Sequence, residues 1–277
     1  MKILITGANG FIAGHLINFL KEKHDVYTIS RKNRFETPSE NNYEIDLSET
    51  KNVKENLKQE FFGHKFNLII HCAAVLSEKD NMDINTFHKN NAITESMIHI
   101  ANVTNAEMLI NMSTIGVYPN ISGTYTEDSA VEPSFNHECL YSLSKICSEE
   151  LFKFYLKGKT QVVNIRLGQV YGSSMRTDRI YAKMKKELEK SNEITVFGNG
   201  ERISNFVSIN YLLKKMYQII QNKDVEGTFN LGEKNMSYYD LASMIIEEYG
   251  NASSTIKLLE QGIKSQVIID SSKINNL

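Results

Sequence analysis

An apolar run of strand length, Lys2-Ile3-Leu4-Ile5-Thr6, passes straight into Gly7-Ala8-Asn9-Gly10. Behind those glycines Phe11, Ile12, Leu16, Ile17, Phe19 and Leu20 repeat at helical spacing. A glycine turn between a first strand and a first helix leaves few options. Gly7 and Gly10 permit a tight turn and a close approach of backbone; Asn9 lies within that turn, and the helix start beyond it (Phe11, Ile12) offers N–H groups and a partial positive charge. This is the local build of a pyrophosphate cradle on a parallel sheet. For the glycines alone an ordinary turn competes; their place at a strand–helix junction weighs against it.

The chain keeps the same rhythm as far as residue 172. Apolar, β-branched runs predict strands at Asp25–Ser30, Tyr43–Leu47, Phe66–His71, Glu107–Met112 and Thr160–Arg166. Val53, Leu57 and Phe61 share one helical face, and longer helices are predicted near Ile84–Val103 and Leu140–Leu156. The alternation predicts an α/β fold, a doubly wound parallel (Rossmann) sheet. Beyond Tyr171-Gly172 come a charged helix near Asp178–Lys190, strands Ile194–Phe197 and Gly227–Gly232, and a helix Tyr238–Tyr249. The expected division is a dinucleotide-binding domain at 1–172 with returns near 205–232. A smaller, interleaved C-terminal substrate lobe is expected at 173–204 and 233–277.

With 31 basic and 33 acidic side chains and no single-sign block, nothing favours a nucleic-acid partner. The longest apolar runs are about half the ~20 residues of a membrane span, and no signal peptide precedes the glycine turn. A cytoplasmic protein without a membrane partner is expected. Cys72, Cys139 and Cys147 are odd in number and lack CxxC spacing, so packed thiols are expected and no metal site.

Two stretches carry chemistry. The second strand ends in Ser30-Arg31-Lys32, without the acidic residue that would take the ribose 2′-hydroxyl of NAD. Ser30 can donate a hydrogen bond and Arg31 can pair with a 2′-phosphate, which favours NADP(H) over NAD(H) as the NAD(P) cofactor. Tyr141 and Lys145 stand four apart on a predicted helix, hence on one face. A free phenol, with a pKa of ~10, exchanges protons poorly near neutrality, and a neighbouring ammonium favours its phenolate. Tyr141 could then act as general base or acid. A lone Tyr-x-x-x-Lys is common on helix surfaces, and its weight comes from the glycine turn upstream.

In this order the motifs resemble the extended short-chain dehydrogenase/reductase family, in particular its nucleotide-sugar epimerases and dehydratases. The TGxxGxxG fingerprint is met at Thr6, Gly7 and Gly10; its third glycine is Ala13, with Gly14 next. Asp46-Leu47 resembles the adenine-contacting pair, His71-Cys72-Ala73-Ala74 the H-x-A-A segment against which the cofactor lies, and Asn91, with Asn90 adjacent, the asparagine of the next helix. Ser113-Thr114-Ile115-Gly116-Val117-Tyr118 is similar to S-S/T-x-x-V-Y, which implies Thr114 as the catalytic hydroxyl and Ser113 as its neighbouring alternative. The resemblance implies Tyr141 and Lys145 as the other catalytic groups, with Lys145 also on the nicotinamide ribose. Arg166–Gly172 is similar to R-x-x-x-V-Y-G, which implies Leu167 beside the cofactor and Gln169 beside substrate.

In the second half, Thr195–Val207 resembles the nucleotide-sugar segment. Ser204 and Asn205 stand where the family has Arg-Asp, and Arg202 is the candidate to meet the substrate diphosphate. Asp270–Ile274 is similar to the stretch before the family's last helices, which would be short or missing in a chain ending at Leu277. The implied reaction is hydride transfer at a ring carbon, C4, of a nucleotide-diphosphate sugar, by a 4-epimerase or a 4-ketoreductase. Dehydratases carry Asp-Glu where this chain has Ile115-Gly116, which disfavours dehydration. A non-catalytic cofactor-binding sensor or scaffold on the same fold is the alternative. A homodimer through the two long helices is a further family-level expectation.

Overall fold

The structure, a computed structural model, describes residues 1–32, 41–61, 63–76 and 83–277. The elements in chain order are β1 (Lys2–Thr6), α1 (Phe11–Leu20), β2 (Asp25–Ser30), β3 (Asn42–Glu44), α2 (Thr50–Glu60), β4 (Leu68–His71), α3 (Ile84–Val103) and β5 (Met108–Thr114). They continue with β6 (Gly123–Tyr125), α4 (Cys139–Tyr155), β7 (Gln161–Leu167), β8 (Gln169–Tyr171), α5 (Ile180–Ser191), β9 (Glu193–Phe197), β10 (Ile203–Ser208) and α6 (Ile209–Gln221). The last are β11 (Gly227–Leu231), β12 (Lys234–Ser237), α7 (Tyr238–Tyr249), β13 (Thr255–Leu259), β14 (Val267–Ile269) and α8 (Ser272–Asn275).

The doubly wound α/β fold is present: seven strands form one sheet in the order β11-β7-β5-β4-β1-β2-β3. β1 pairs in parallel with both β2 and β4, which follow it in sequence on opposite sides, so the chain reverses its winding at β1. Ligands of open α/β sheets bind beyond the carboxyl ends of the strands at such a switch, where the Gly7–Gly10 turn sits.

The chain divides into two compact units. The first comprises 1–119, 131–166 and 216–229, the second 120–130, 167–215 and 230–277. The core of the first joins Leu4, Ile69 and Leu109 of the sheet to Met97 and Ile100 of α3 and Phe152 of α4, all fully buried. Val53 and Phe61 are buried in it as well, whereas the side chain of Leu57 lies outside the described residues. Asp83 caps α3 by accepting from the Asn85 N–H.

The second unit is built on smaller sheets, β12-β10-β8, β13-β9 and β14-β6. Its core packs Met184 and Leu188 of α5 and Leu241 and Ile245 of α7 against Ile194, Val196 and Phe206. Ser237 and Asp240 close a reciprocal capping box on α7. Several short elements here, β6, β12, β13 and β14 among them, carry no period that sequence reading detects. Helix α6 also escaped it, although its apolar Leu212, Met216, Ile219 and Ile220 are buried at helical spacing.

Among the described residues no helix is long and apolar enough to cross a membrane, and no group of three or more His, Cys, Asp or Glu could hold a metal. The three cysteines are free thiols.

Candidate active site

Gly7 sits at φ +71°, and a Cβ built there would lie 2.8 Å from the Ala73 amide nitrogen. Both the left-handed backbone and the space exclude a larger residue. The turn thereby seats against Ala73-Ala74 at the end of β4, where the Ala73 N–H donates to Thr6 Oγ1 at 3.2 Å. Gly10 is the N-cap of α1 and has no side chain to cap it, nor does an acid occupy the first turn. The helix therefore presents an uncapped positive end, flanked by the half-buried Phe11 and Ile12, which suits an anion. Ala13 is buried to 1% exposure, whereas a Cβ on Gly14 would meet nothing within 4 Å. The small residue needed for close packing is thus Ala13, and Gly14 is incidental.

The end of β2 is tied to this turn. Asn9 Nδ2 and Ser30 Oγ both donate to the Lys32 carbonyl, at 2.7 and 3.0 Å. The Ser30 donor that sequence reading assigned to the ribose is therefore spent on backbone, and its oxygen remains as an acceptor. Arg31 is exposed at the same corner. Asp46 is exposed and accepts from the Ser48 N–H and hydroxyl, at 2.9 and 2.7 Å, while Leu47 beside it is buried.

His71 is buried and shares a 2.9 Å hydrogen bond with Thr6 Oγ1. Burial, aided by the charge of Lys145, pulls its pKa down to about 3, so the ring is neutral. Of the two neighbouring asparagines, Asn90 grips the Val75 backbone at both ends, accepting from its N–H at 2.7 Å and donating to its carbonyl at 2.9 Å. It also donates to Ser144 Oγ on α4. Asn91 Oδ1 is buried without a partner among the described residues. Asn90 therefore shapes the loop that carries Ala73 and Ala74, and Asn91 keeps an unused acceptor.

Lys145 is 4% exposed. Its Nζ donates to the Met112 carbonyl of β5 at 2.8 Å and lies 5.7 Å from the centre of the Tyr141 ring. Burial pulls its pKa down to about 8, against the opposing pull of Cys72 and Glu149. Burial also pushes the Cys72 thiol up to about 12, so it stays protonated. The amine thus joins the helix that carries Tyr141 to the strand that ends in Thr114.

Thr114 begins a 3-10 turn at Ile115–Val117, where its Oγ1 accepts from the Gly116 N–H at 3.0 Å. Ser113, the neighbouring alternative, is buried with its hydroxyl donated to Glu149 Oε1 at 2.5 Å. A Cβ on Gly116 would lie 2.7 Å from Ser142 Oγ, so a side chain there would have to turn that hydroxyl of α4 aside. Two residues that sequence reading passed over, Asn136 and Glu149, hold this region together with Arg166, the first residue of the R-x-x-x-V-Y-G segment. Asn136 donates to the Gly116 and Tyr118 carbonyls at 2.8 and 2.7 Å. Glu149 pairs with Arg166, both buried. Glu149 stands four residues after Lys145, which was the available signal; nothing local marked Asn136.

Leu167 is buried at the end of β7. In the second unit Gln169 Nε2 donates to Ser204 Oγ at 2.8 Å. The half-buried Arg202 lays its guanidinium over the Tyr238 ring, 5.0 Å from its centre. Asn205 donates to Asn235 Oδ1 at 3.0 Å, and its own Oδ1 is buried without a partner among the described residues.

Residues 3–232 match the profile of the NAD dependent epimerase/dehydratase family. The chain belongs to that family. It is therefore an NAD-dependent enzyme of the extended short-chain dehydrogenase/reductase type. A Bacillus subtilis (strain 168) relative, the uncharacterized UDP-glucose epimerase YtcB, is 25% identical over 299 residues, covering 100% of this chain and 92% of that protein. The GDP-6-deoxy-D-talose 4-dehydrogenase of Aggregatibacter actinomycetemcomitans is 27% identical over 235 residues, covering 83% of this chain and 74% of its own length. The solved UDP-glucuronic acid 4-epimerase of Bacillus cereus in complex with NAD shares the fold at TM-score 0.80 and 24% identity, covering 100% of this chain and 92% of that one.

The site fits the family's cofactor. It offers an uncapped helix start for the pyrophosphate, an acceptor and a cation at the end of β2 for the adenosine ribose, and an ammonium on α4 for the second ribose.

Proposed function

We propose that this epimerase/dehydratase family member exchanges hydrogen at a ring carbon, C4, of a sugar carried on a nucleoside diphosphate, and that it acts as a 4-epimerase. The observation that carries the reading is Lys145, a buried ammonium bonded to the strand of Thr114 and set beneath the ring of Tyr141. A buried amine with a lowered pKa and a phenol beside it are assets for proton transfer and liabilities for stability. Their retention weighs against a non-catalytic sensor.

When bound, NAD supplies the two-electron acceptor and donor. Tyr141 takes the proton of the C4 hydroxyl as the alcohol becomes a ketone, and gives it back when the ketone is reduced. Lys145 favours the phenolate by its charge and donates to the ribose. Thr114 hydrogen-bonds the reacting oxygen, where charge develops. Dehydration would need an acid and a base after Thr114. Ile115 and Gly116 supply neither.

Gln169 and Arg202 are proposed to meet the substrate, Arg202 at the diphosphate. Asn9, Gly10, Phe11, Ile12, Ser30, Arg31, Asp46, Leu47, Ala73, Ala74, Asn91 and Leu167 are proposed along the cofactor. A second reading, a 4-ketoreductase consuming NADPH, is favoured by one observation: the end of β2 carries Arg31 and no acid.

The deciding experiment incubates the purified protein with NAD or NADP and a panel of UDP-, GDP- and dTDP-sugars, with product analysis. Interconversion of C4 epimers without net cofactor consumption supports the epimerase. Steady loss of NADPH absorbance with a 4-keto nucleotide sugar replaces it with the reductase. Cofactor binding without turnover of any sugar nucleotide removes both.

A further inference from the structure

A buried ion pair between the helix of Tyr141 and the central sheet takes no part in the proton transfer above. Glu149 and Arg166 are 3% and 7% exposed. Arg166 donates to both Glu149 oxygens, from Nε at 3.2 Å to each and from a terminal nitrogen at 2.8 Å. This pairing and its charge raise the guanidinium's pKa despite the opposing effect of burial. A pair this deep gains little net stability, because desolvation offsets most of the attraction. What distinguishes it is where its remaining bonds go.

Glu149 Oε1 accepts from the Ser113 hydroxyl, and the other arm of Arg166 donates to the Tyr118 hydroxyl at 2.9 Å. The guanidinium also lies over the Tyr118 ring, 5.2 Å from its centre. Ser113 is the residue before Thr114, and Tyr118 directly follows the 3-10 turn that Thr114 caps. The ion pair therefore holds the chain on both sides of the Thr114 turn, one residue before it and one after. Asn136 holds the carbonyls of Gly116 and Tyr118, at the turn itself, whereas Glu149 reaches the strand side through Ser113.

We propose that Glu149 is a positioning residue: through Ser113 directly, and through Arg166 and Tyr118, it fixes the turn that aims the Thr114 hydroxyl. The proposal rests on the functional reading above for the role of Thr114, and on geometry alone for the clamp. It requires that loosening the clamp harm the chemical step more than binding, because a misplacement of ~1 Å costs about a hundredfold in rate.

The experiment compares Ser113→Ala and Tyr118→Phe, each of which removes one oxygen, with Glu149→Gln. The last leaves a buried guanidinium under-compensated and is informative only if it folds. Hydrogen exchange of peptides spanning 113–118 should quicken in the single-oxygen variants, while peptides of β1 and β2 stay as in the parent. With UDP-glucose or its C4 epimer as probe, kcat should fall about ten- to a hundredfold, with KM and NAD affinity within about threefold. Tyr118→Phe should cost nothing further in a Thr114→Ala background, since both changes act through one hydroxyl.

Unchanged exchange in both single-oxygen variants overturns the clamp. So does full additivity with Thr114→Ala. If the parent protein turns over no nucleotide sugar, the functional reading falls, and the exchange measurement still decides the clamp.

Discussion

Replacing Gly7 by alanine probes the turn on which the cofactor site depends. At φ +71° a Cβ meets the following carbonyl, which costs about 1–2 kcal/mol. The same Cβ would lie 2.8 Å from Ala73 N and 2.9 Å from Ala73 Cα, both backbone atoms that cannot swing aside. Overpacking of this kind costs about 1–3 kcal/mol. The sum is roughly 2–5 kcal/mol, or a midpoint lowered by on the order of 5–15 °C in a domain this size. Displacing the turn also misaligns the start of α1. Losing one or two hydrogen bonds to pyrophosphate should weaken NAD about ten- to a hundredfold.

Gly14 is the control. It lies inside α1 with nothing within 4 Å of a built Cβ, so Gly14→Ala should stabilise by about 0.5–1 kcal/mol and leave NAD affinity unchanged. Thermal melts and calorimetric NAD titrations of both variants provide the assay. A Gly7→Ala protein with the parent's midpoint and affinity, or a Gly14→Ala protein that loses both, would refute the assignment of Gly7 and Ala13 to the fingerprint's backbone and packing roles.

Tyr141→Phe should lower kcat by about a hundred- to ten-thousandfold and leave NAD affinity within about threefold; a fully active variant removes the tyrosine from proton transfer. Arg31→Ala should weaken NADP about tenfold or more and NAD hardly at all, and equal losses in titrations of the two would dismiss the 2′-phosphate argument. His71 has a folded pKa of about 3 against 6.5 when unfolded, so below pH 6.5 the unfolded chain binds a proton that the folded one refuses. Stability should therefore fall with pH over that window, by about 1.4 kcal/mol per unit. His71→Asn should flatten the slope in denaturant melts at successive pH values; an unchanged slope would show that another group sets it.

The order of motifs along the first 172 residues was legible because each is local. A strand–glycine–helix junction, an apolar strand and a Tyr-x-x-x-Lys helix are set by spacings of a few residues. The long helices α3 and α7 also follow from apolar period and capping residues, and their bounds matched the reading. In the second unit β9 was read as Ile194–Phe197, but β6, β12, β13 and β14 were not, because strands of three to five residues hold too few residues to show a reliable period and owe their conformation to their partners.

Sequence alone determined that a glycine turn opens onto a helix, that a parallel sheet follows, and that Thr114, Tyr141 and Lys145 are of the right chemical types. Only the tertiary structure decided which polar groups are spent and which are left. Ser113 is consumed by Glu149, Ser30 by the Lys32 carbonyl and Asn90 by Val75, while Lys145 reaches β5 across 33 residues of chain. The reason is physical: a buried donor or acceptor must find a partner, and the partner that packing brings within 3 Å is usually remote in sequence.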